Sequence, residues 1–216
     1  MLAQITETAA AHHLAVLGGF HADNDPTLPL GTQTLLLLGP AEPGFWAHIH
    51  SQPEWDGAPD PIDRWSRRVI GRMACDLGAP NSAVKALFPF GGAPYHPFYS
   101  WALRTGRVWD SPIKLLVHAD QGLMVSFRGA LALKDRIDLP PPLPRPCDSC
   151  AAPCLTTCPA LTGVGYDVPA CHEMLDAGKD CMKLGCASRR ACPLSLAYAR
   201  LPEHSAYHMA QFHRGH

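Results

Sequence analysis

Cys147-Asp148-Ser149-Cys150-Ala151-Ala152-Pro153-Cys154-Leu155-Thr156-Thr157-Cys158-Pro159 spaces its thiols by two, three and three residues and closes on a proline. A second group follows: Cys171, then Cys181, Cys186 and Cys192, with Pro193 directly behind. Eight of the nine cysteines therefore lie between residues 147 and 192. The N-terminus has Glu7 and His12-His13 inside its apolar pattern and no basic residue before it, unlike a secretory leader. Thiols this crowded in a chain without an export signal point to metal ligation before disulfides.

A cubane cluster needs four thiolates converging on one centre, and closely spaced cysteines in a tight loop can supply three of them. In bacterial two-cluster ferredoxins the run is C-x2-C-x2-C-x3-C-P, and its fourth cysteine ligates the other cluster. The present run is similar, with one extra residue before Cys154. By that crossing logic Cys147, Cys150, Cys154 and Cys192 form one ligand set, and Cys158, Cys171, Cys181 and Cys186 the other. Gly178 and Gly185 are placed to let the second set bend into position. Two 4Fe-4S clusters lead this reading; one cluster with spare thiols, zinc and disulfides stay open behind it in that order. Zinc ranks low because only Cys147 and Cys150 form a C-x2-C knuckle. Cys75, beside Ala74 and Leu77, reads as a small core residue.

Around this module the composition is that of an ordered globular protein: 216 residues, 47% apolar, 17% charged and a formal charge of −1. That balance lacks the basic footprint of a general nucleic-acid binder. The longest apolar run, Leu35 to Leu38, is far too short to span a membrane. We expect a cytoplasmic protein with neither a nucleic-acid nor a membrane partner. Twenty-two prolines and eighteen glycines announce abundant turns and loops.

Ile5, Ala9, His12 and Val16 recur at helical spacing, predicting a helix over 3–16 stopped by Gly18-Gly19. The leucine run between Gly31 and Pro40 predicts a short strand buried on both sides. Asp60 is placed to cap a helix opening at Pro61, with Ile62, Trp65, Val69 and Met73 as its apolar stripe and Gly78 and Pro80 ending it. Arg64, Arg67, Arg68 and Arg72 lie opposite the stripe, as a solvated face or a dock for an anionic cofactor tail or acidic partner. The aromatic, Gly- and Pro-rich stretch from Phe88 to Tyr99 is a packed lid or a pocket wall, followed by a helix through Trp101 to Arg104. Lys114 to His118, a turn at Asp120-Gln121-Gly122, and Leu123 to Leu133 read as a β-hairpin by alternation. Prolines from Pro140 to Pro146 favour an extended linker. An amphipathic tail over 202–213 is expected to fold back on the main domain. His96 and His118 read as structural histidines.

Taken together, these features resemble epoxyqueuosine reductase and the related cobalamin-processing CblC proteins. The resemblance rests on Trp109-Asp110-Ser111-Pro112-Ile113-Lys114-Leu115-Leu116-Val117-His118 through Gly122 to Gly129, on the cysteine module, and, toward CblC, on Pro59 to Asp63 and Ile137 to Pro141. It implies an α+β protein: a nitroreductase-like, corrinoid-binding domain over 1–139, a linker over 140–146, and a ferredoxin-like iron-sulfur module with a helical tail over 147–216. The helical extension that epoxyqueuosine reductase uses for transfer RNA is missing, which argues against the queuosine reaction itself. The implied function is an oxidoreductase whose two 4Fe-4S clusters pass electrons, taken from a donor protein or small reductant, to a bound corrinoid (cobalamin). A ferredoxin-type carrier and a zinc-stabilised interaction protein are the alternatives. The implied corrinoid wall is the hairpin face and the aromatic loop, with Phe90, Tyr95 and Phe127 on the wall and His118, Ser126 and Arg128 at its rim. An Arg128 that instead pairs with an acid of the main domain is the competing structural role.

Overall fold

A computed structural model describes residues 1–78, 84–162 and 165–214. In chain order its elements are α1 (Leu2–Ala10), β1 (Leu14–His21), β2 (Thr34–Pro40), α2 (Phe45–His50), α3 (Pro61–Gly78), β3 (Lys85–Leu87), α4 (Phe98–Leu103), β4 (Val108–Asp110), β5 (Leu116–His118), β6 (Gly129–Leu133), β7 (Leu161–Thr162), β8 (Gly165–Tyr166), α5 (Val168–Asp176), α6 (Cys181–Leu184), α7 (Ala187–Ala191), α8 (Pro193–Tyr198) and α9 (Pro202–His213). Short 3-10 turns at Pro146–Ser149 and Pro153–Leu155 precede β7. Two compact units result: a sheet unit, Met1–Val108 with Ser126–Leu143, and a cysteine unit, Trp109–Val125 with Pro144–His216.

In the sheet unit the leucine strand β2 is buried at every position, flanked by β1 and β6 in an antiparallel sheet of order β1-β2-β6-β3. The stripe of α3, Ile62, Trp65, Val69 and Met73, is buried as its spacing requires, each side chain stabilising by about 1.5–3 kcal/mol. Its start at Pro61 and its run to Gly78 follow the sequence; Pro80 lies outside the described residues. The arginine face is occupied locally. Arg64 pairs with Asp56, Arg68 with Glu54 and Arg72 with Asp76, and Arg67 lies over the Phe90 ring. It is an ion-paired solvated face rather than an open dock.

The N-terminal expectation is corrected. α1 stops at Ala10, and Gly18-Gly19 lie inside strand β1. A bulge at Leu17 shifts the pairing between Val16 and Gly18, so Leu14, Leu17 and Phe20 are buried three residues apart. That spacing imitates a helix. Cys75 is also corrected: it is exposed on α3, not a core residue.

The long hairpin does not form. β5 pairs with β4, a single bridge joins His118 to Gly122, and Leu123 to Arg128 is not strand. The backbone there is satisfied by other partners. Leu123 N–H donates to Ser195 Oγ, Leu123 C=O accepts from Arg189, and Met124 C=O accepts from Arg200. Groups spent in this way cannot build a ladder. The expected boundaries change accordingly: 109–125, assigned to the main domain by sequence, belongs to the cysteine unit, and the break inside the proline-rich stretch falls after Leu143. The tail helix α9, expected to fold back on the main domain, belongs to the cysteine unit; Arg200 Nε donates to Ser205 Oγ, and Met209 packs among Ala160, Cys171 and Leu175.

Candidate metal centre

Two tight turns build the first cysteine group. Cys147 sits in the 3-10 turn Pro146–Ser149, Cys150 N–H returns to Cys147 C=O at 3.3 Å, and a left-handed Ala152 (φ 51°) feeds the second turn carrying Cys154. Cys192 arrives from the end of α7, where Pro193 opens α8. These four cysteines line one narrow cleft of about 20 Å³ with Ser111, Val117 and Leu123. Ile113 packs in the same apolar cluster. Ala152 N–H points at Cys150 Sγ, 3.4 Å away. Arg145, held by Asp110 C=O at 2.8 Å and by Asp148, partly offsets the burial that pushes the Cys147 thiol up. Burial, with Cys192 adding to it, likewise raises Cys154. Ser111 Oγ lines the cleft, buried and without a hydrogen-bond partner among the described residues.

The second group collects around Ala160, Leu175 and Met209. Cys171 is buried there, and Cys158, Cys181 and Cys186 pack against the cluster. Asp167 caps α5 by accepting from Ala170 N–H at 3.0 Å, which fixes Cys171 in the first turn. Gly178 and Gly185 take positive φ, 80° and 85°, and Gly185 swings the chain from α6 into Cys186. A Cβ on Gly185 would stand 2.4 Å from Ser205 Cβ of α9. Tyr166 donates to Cys171 Sγ at 2.7 Å. Burial raises the Cys171 thiol against that hydrogen bond, and Cys186, Cys158 and Cys181 raise it further. Arg189, half-buried on α7, has its pKa lowered by burial and supported by Cys186 and Tyr166. Beside Cys171, His172 Nδ1 meets His213 Nδ1 at 2.8 Å, and His213 Nε2 meets Asp176 at 3.0 Å.

Among the described residues no three His, Cys, Asp or Glu side chains converge closely enough to hold one metal ion. A single zinc draws four sulfurs to about 2.3 Å from one point. A cubane seats each thiolate on a different iron, so its four sulfurs stand farther apart. Cys147, Cys150, Cys154 and Cys192 around one cleft, and Cys158, Cys171, Cys181 and Cys186 in one apolar cluster, are soft thiol donor sets of the kind iron-sulfur clusters take. Sequence reasoning missed Ser111, Tyr166 and Arg189. Arg189 alone left a trace, as a cation between Cys186 and Cys192.

The residues expected at a corrinoid wall are dispersed. His118 is buried in the cysteine unit, its Nδ1 accepting from the N–H groups of Asp120 and Gln121 at 3.1 and 3.2 Å, a turn-holding role. In the sheet unit Phe127 packs on Phe98, and Ser126 Oγ is buried without a partner among the described residues. Arg128 pairs with Asp63 at 3.0 Å, the structural role. Phe90 packs on Phe88, and Tyr95 is 69% exposed. With the hairpin absent, the wall drawn from it is withdrawn.

No protein-family model and no curated protein matches the sequence. Among solved structures, a selenomethionine-labelled epoxyqueuosine reductase aligns with a TM-score of 0.60 and 15% sequence identity, covering 94% of this chain and 70% of its own. The fold is epoxyqueuosine-reductase-like. That likeness supports the mixed helix-and-sheet architecture expected from the sequence. In this epoxyqueuosine-reductase-like chain no described helix is long and apolar enough to cross a membrane.

Proposed function

We propose that this chain is an iron-sulfur oxidoreductase in which Cys147, Cys150, Cys154 and Cys192 hold one 4Fe-4S cluster and Cys158, Cys171, Cys181 and Cys186 a second, in a ferredoxin-like arrangement. The observation that carries the reading is the single cleft shared by Cys147, Cys150, Cys154 and Cys192, which draws its fourth thiol from 38 residues beyond the third. Such clusters, when bound, supply reversible one-electron transfer. The chain's own groups prepare for their negative charge. Arg189 sets a half-buried cation beside Cys186, Tyr166 donates to Cys171, and Ser111 offers a hydroxyl beside the other quartet.

The proposed acceptor is a corrinoid, with electrons from a donor protein or small reductant. The resemblance of residues 109–129 to cobalamin-handling proteins supports it. Anaerobic reconstitution tests the first half: about eight irons and eight sulfides per chain, absorbance near about 400 nm and coupled paramagnets on full reduction are expected. Stoichiometric zinc with no iron uptake would overturn it. Titration of aquacobalamin tests the second half. No cobalt-centred spectral change with an iron-replete protein would leave a ferredoxin-type carrier.

A further inference from the structure

The bulge in β1 has a cleft beside it that the iron-sulfur reading does not use. Val16, Gly18 and Gly19, on either side of the bulged Leu17, line it together with Leu36, Leu139 and Arg107. Its volume is about 130 Å³. A cavity of about 150 Å³ with apolar walls accommodates benzene, so this one has room for a chain of roughly five or six carbons. The walls are apolar, because Val16, Leu36 and Leu139 present hydrocarbon and the two glycines present only backbone.

Thr6, Thr105 and Arg107 interrupt the apolar lining, and of the three only Arg107 carries a charge. Arg107 lines the cleft, and among the described residues no carboxylate pairs with its guanidinium. Its backbone is fixed, since Arg107 N–H donates to Thr105 Oγ1 at 3.2 Å and Gly106, at φ 64°, packs against Pro142. The arginines of α3 show the contrast, each engaged by an acid or an aromatic ring. A fixed cation at an apolar slot selects a ligand with one anionic end and a short hydrocarbon body, because the guanidinium fork matches a carboxylate with two parallel hydrogen bonds. A β-bulge beside such a slot is a common way for a sheet edge to open a binding site.

We propose that this cleft binds a short aliphatic monocarboxylate, with its carboxylate on Arg107 and its hydrocarbon between Val16, Leu36 and Leu139. Hexanoate is the probe, titrated into the full chain while backbone amide resonances are followed. Saturable shifts centred on Gly18, Gly19 and Arg107 are expected. Hexanol should bind at least about tenfold more weakly, the loss of one charge-assisted contact. Arg107→Met should bind hexanoate and hexanol alike, whereas Arg107→Lys should keep a preference for hexanoate. Should the methionine variant misfold, Leu139→Trp, which fills the slot without touching the cation, should abolish both ligands. The proposal is overturned by absent or non-saturating shifts, by shifts centred elsewhere, by hexanol matching hexanoate, or by an undiminished hexanoate preference in Arg107→Met. Iron content is unaffected by any of these outcomes, so a failure here is separable from a failure of the cluster reading.

Discussion

The phenol of Tyr166 donates a 2.7 Å hydrogen bond to Cys171 Sγ. Burial pushes the Tyr166 pKa up, and the thiols around it push further, so the phenol stays protonated and remains a donor. Hydrogen bonds to cluster sulfurs stabilise the more reduced, more negative state. Tyr166→Phe should therefore leave the iron content unchanged and make the second cluster harder to reduce. A differential of about 1 kcal/mol corresponds to a shift on the order of 40 mV for a one-electron couple. Redox titration followed by electron paramagnetic resonance measures it, and an unchanged potential would remove Tyr166 from the cluster environment.

Cys192→Ala removes the thiol that reaches the first cleft from the far side of the module. Reconstituted anaerobically, this variant should hold about half the iron of the parent, with the remaining paramagnet no longer coupled. Full iron retention would show that another group completes the first quartet.

Arg189→Met should act differently in the two metallation states. Partial desolvation makes the guanidinium costly without an anionic neighbour, so in cluster-free protein the substitution is close to neutral. With clusters bound it removes the cation that offsets their charge. The effect on unfolding free energy should differ between the states by about 2 kcal/mol. Denaturant titrations with and without prior iron removal supply the comparison, and equal effects in both would assign Arg189 to packing alone.

Much of this architecture can be read along the chain. The leucines of β2, the stripe of α3 and the span of α9 each follow from one regular periodicity within one segment. The errors share a cause. Residues 14–16 are read as the end of a helix because Val16 continues the spacing of Ile5, Ala9 and His12, although α1 stops at Ala10 and they open the bulged strand β1. Leu123 to Arg128 is read as strand because its alternation is visible, whereas Ser195, Arg189 and Arg200, which take its backbone groups, stand 66 or more residues away. The gathering of Cys147, Cys150, Cys154 and Cys192 around one cleft is legible because thiol chemistry restricts the partners. Ser111 is not, since a serine hydroxyl carries no such restriction.

Arg128→Met should destabilise the sheet unit in a pH-dependent way. Burial holds the Asp63 carboxyl above its ordinary range while Arg128 pulls it down, so removing the cation lets it rise further. A carboxyl whose folded value exceeds its unfolded value contributes stability below the unfolded value and loses it as pH rises through the folded one. The deficit, about 1–2 kcal/mol near neutral pH, should therefore shrink on mild acidification. Adding Asp63→Asn should flatten the pH dependence; a deficit that grows with acid would contradict the assignment.

Gly185→Ala forces a side chain into both a left-handed backbone and the Ser205 contact. A loss of about 2–4 kcal/mol is expected, with iron lost from the second quartet before the first. Thermal melts with iron analysis along the transition report the order.

The chain leaves the sheet unit after Val108, returns at Ser126 and leaves again after Leu143. Severing it at the proline-rich stretch would thus yield two fragments, neither self-sufficient: one carrying Ile113, Val117 and Leu123 with nothing to bury them, the other with its first cysteine quartet stripped of that apolar lining. On the ribosome the earlier segment must wait, unburied, until Cys192 has emerged.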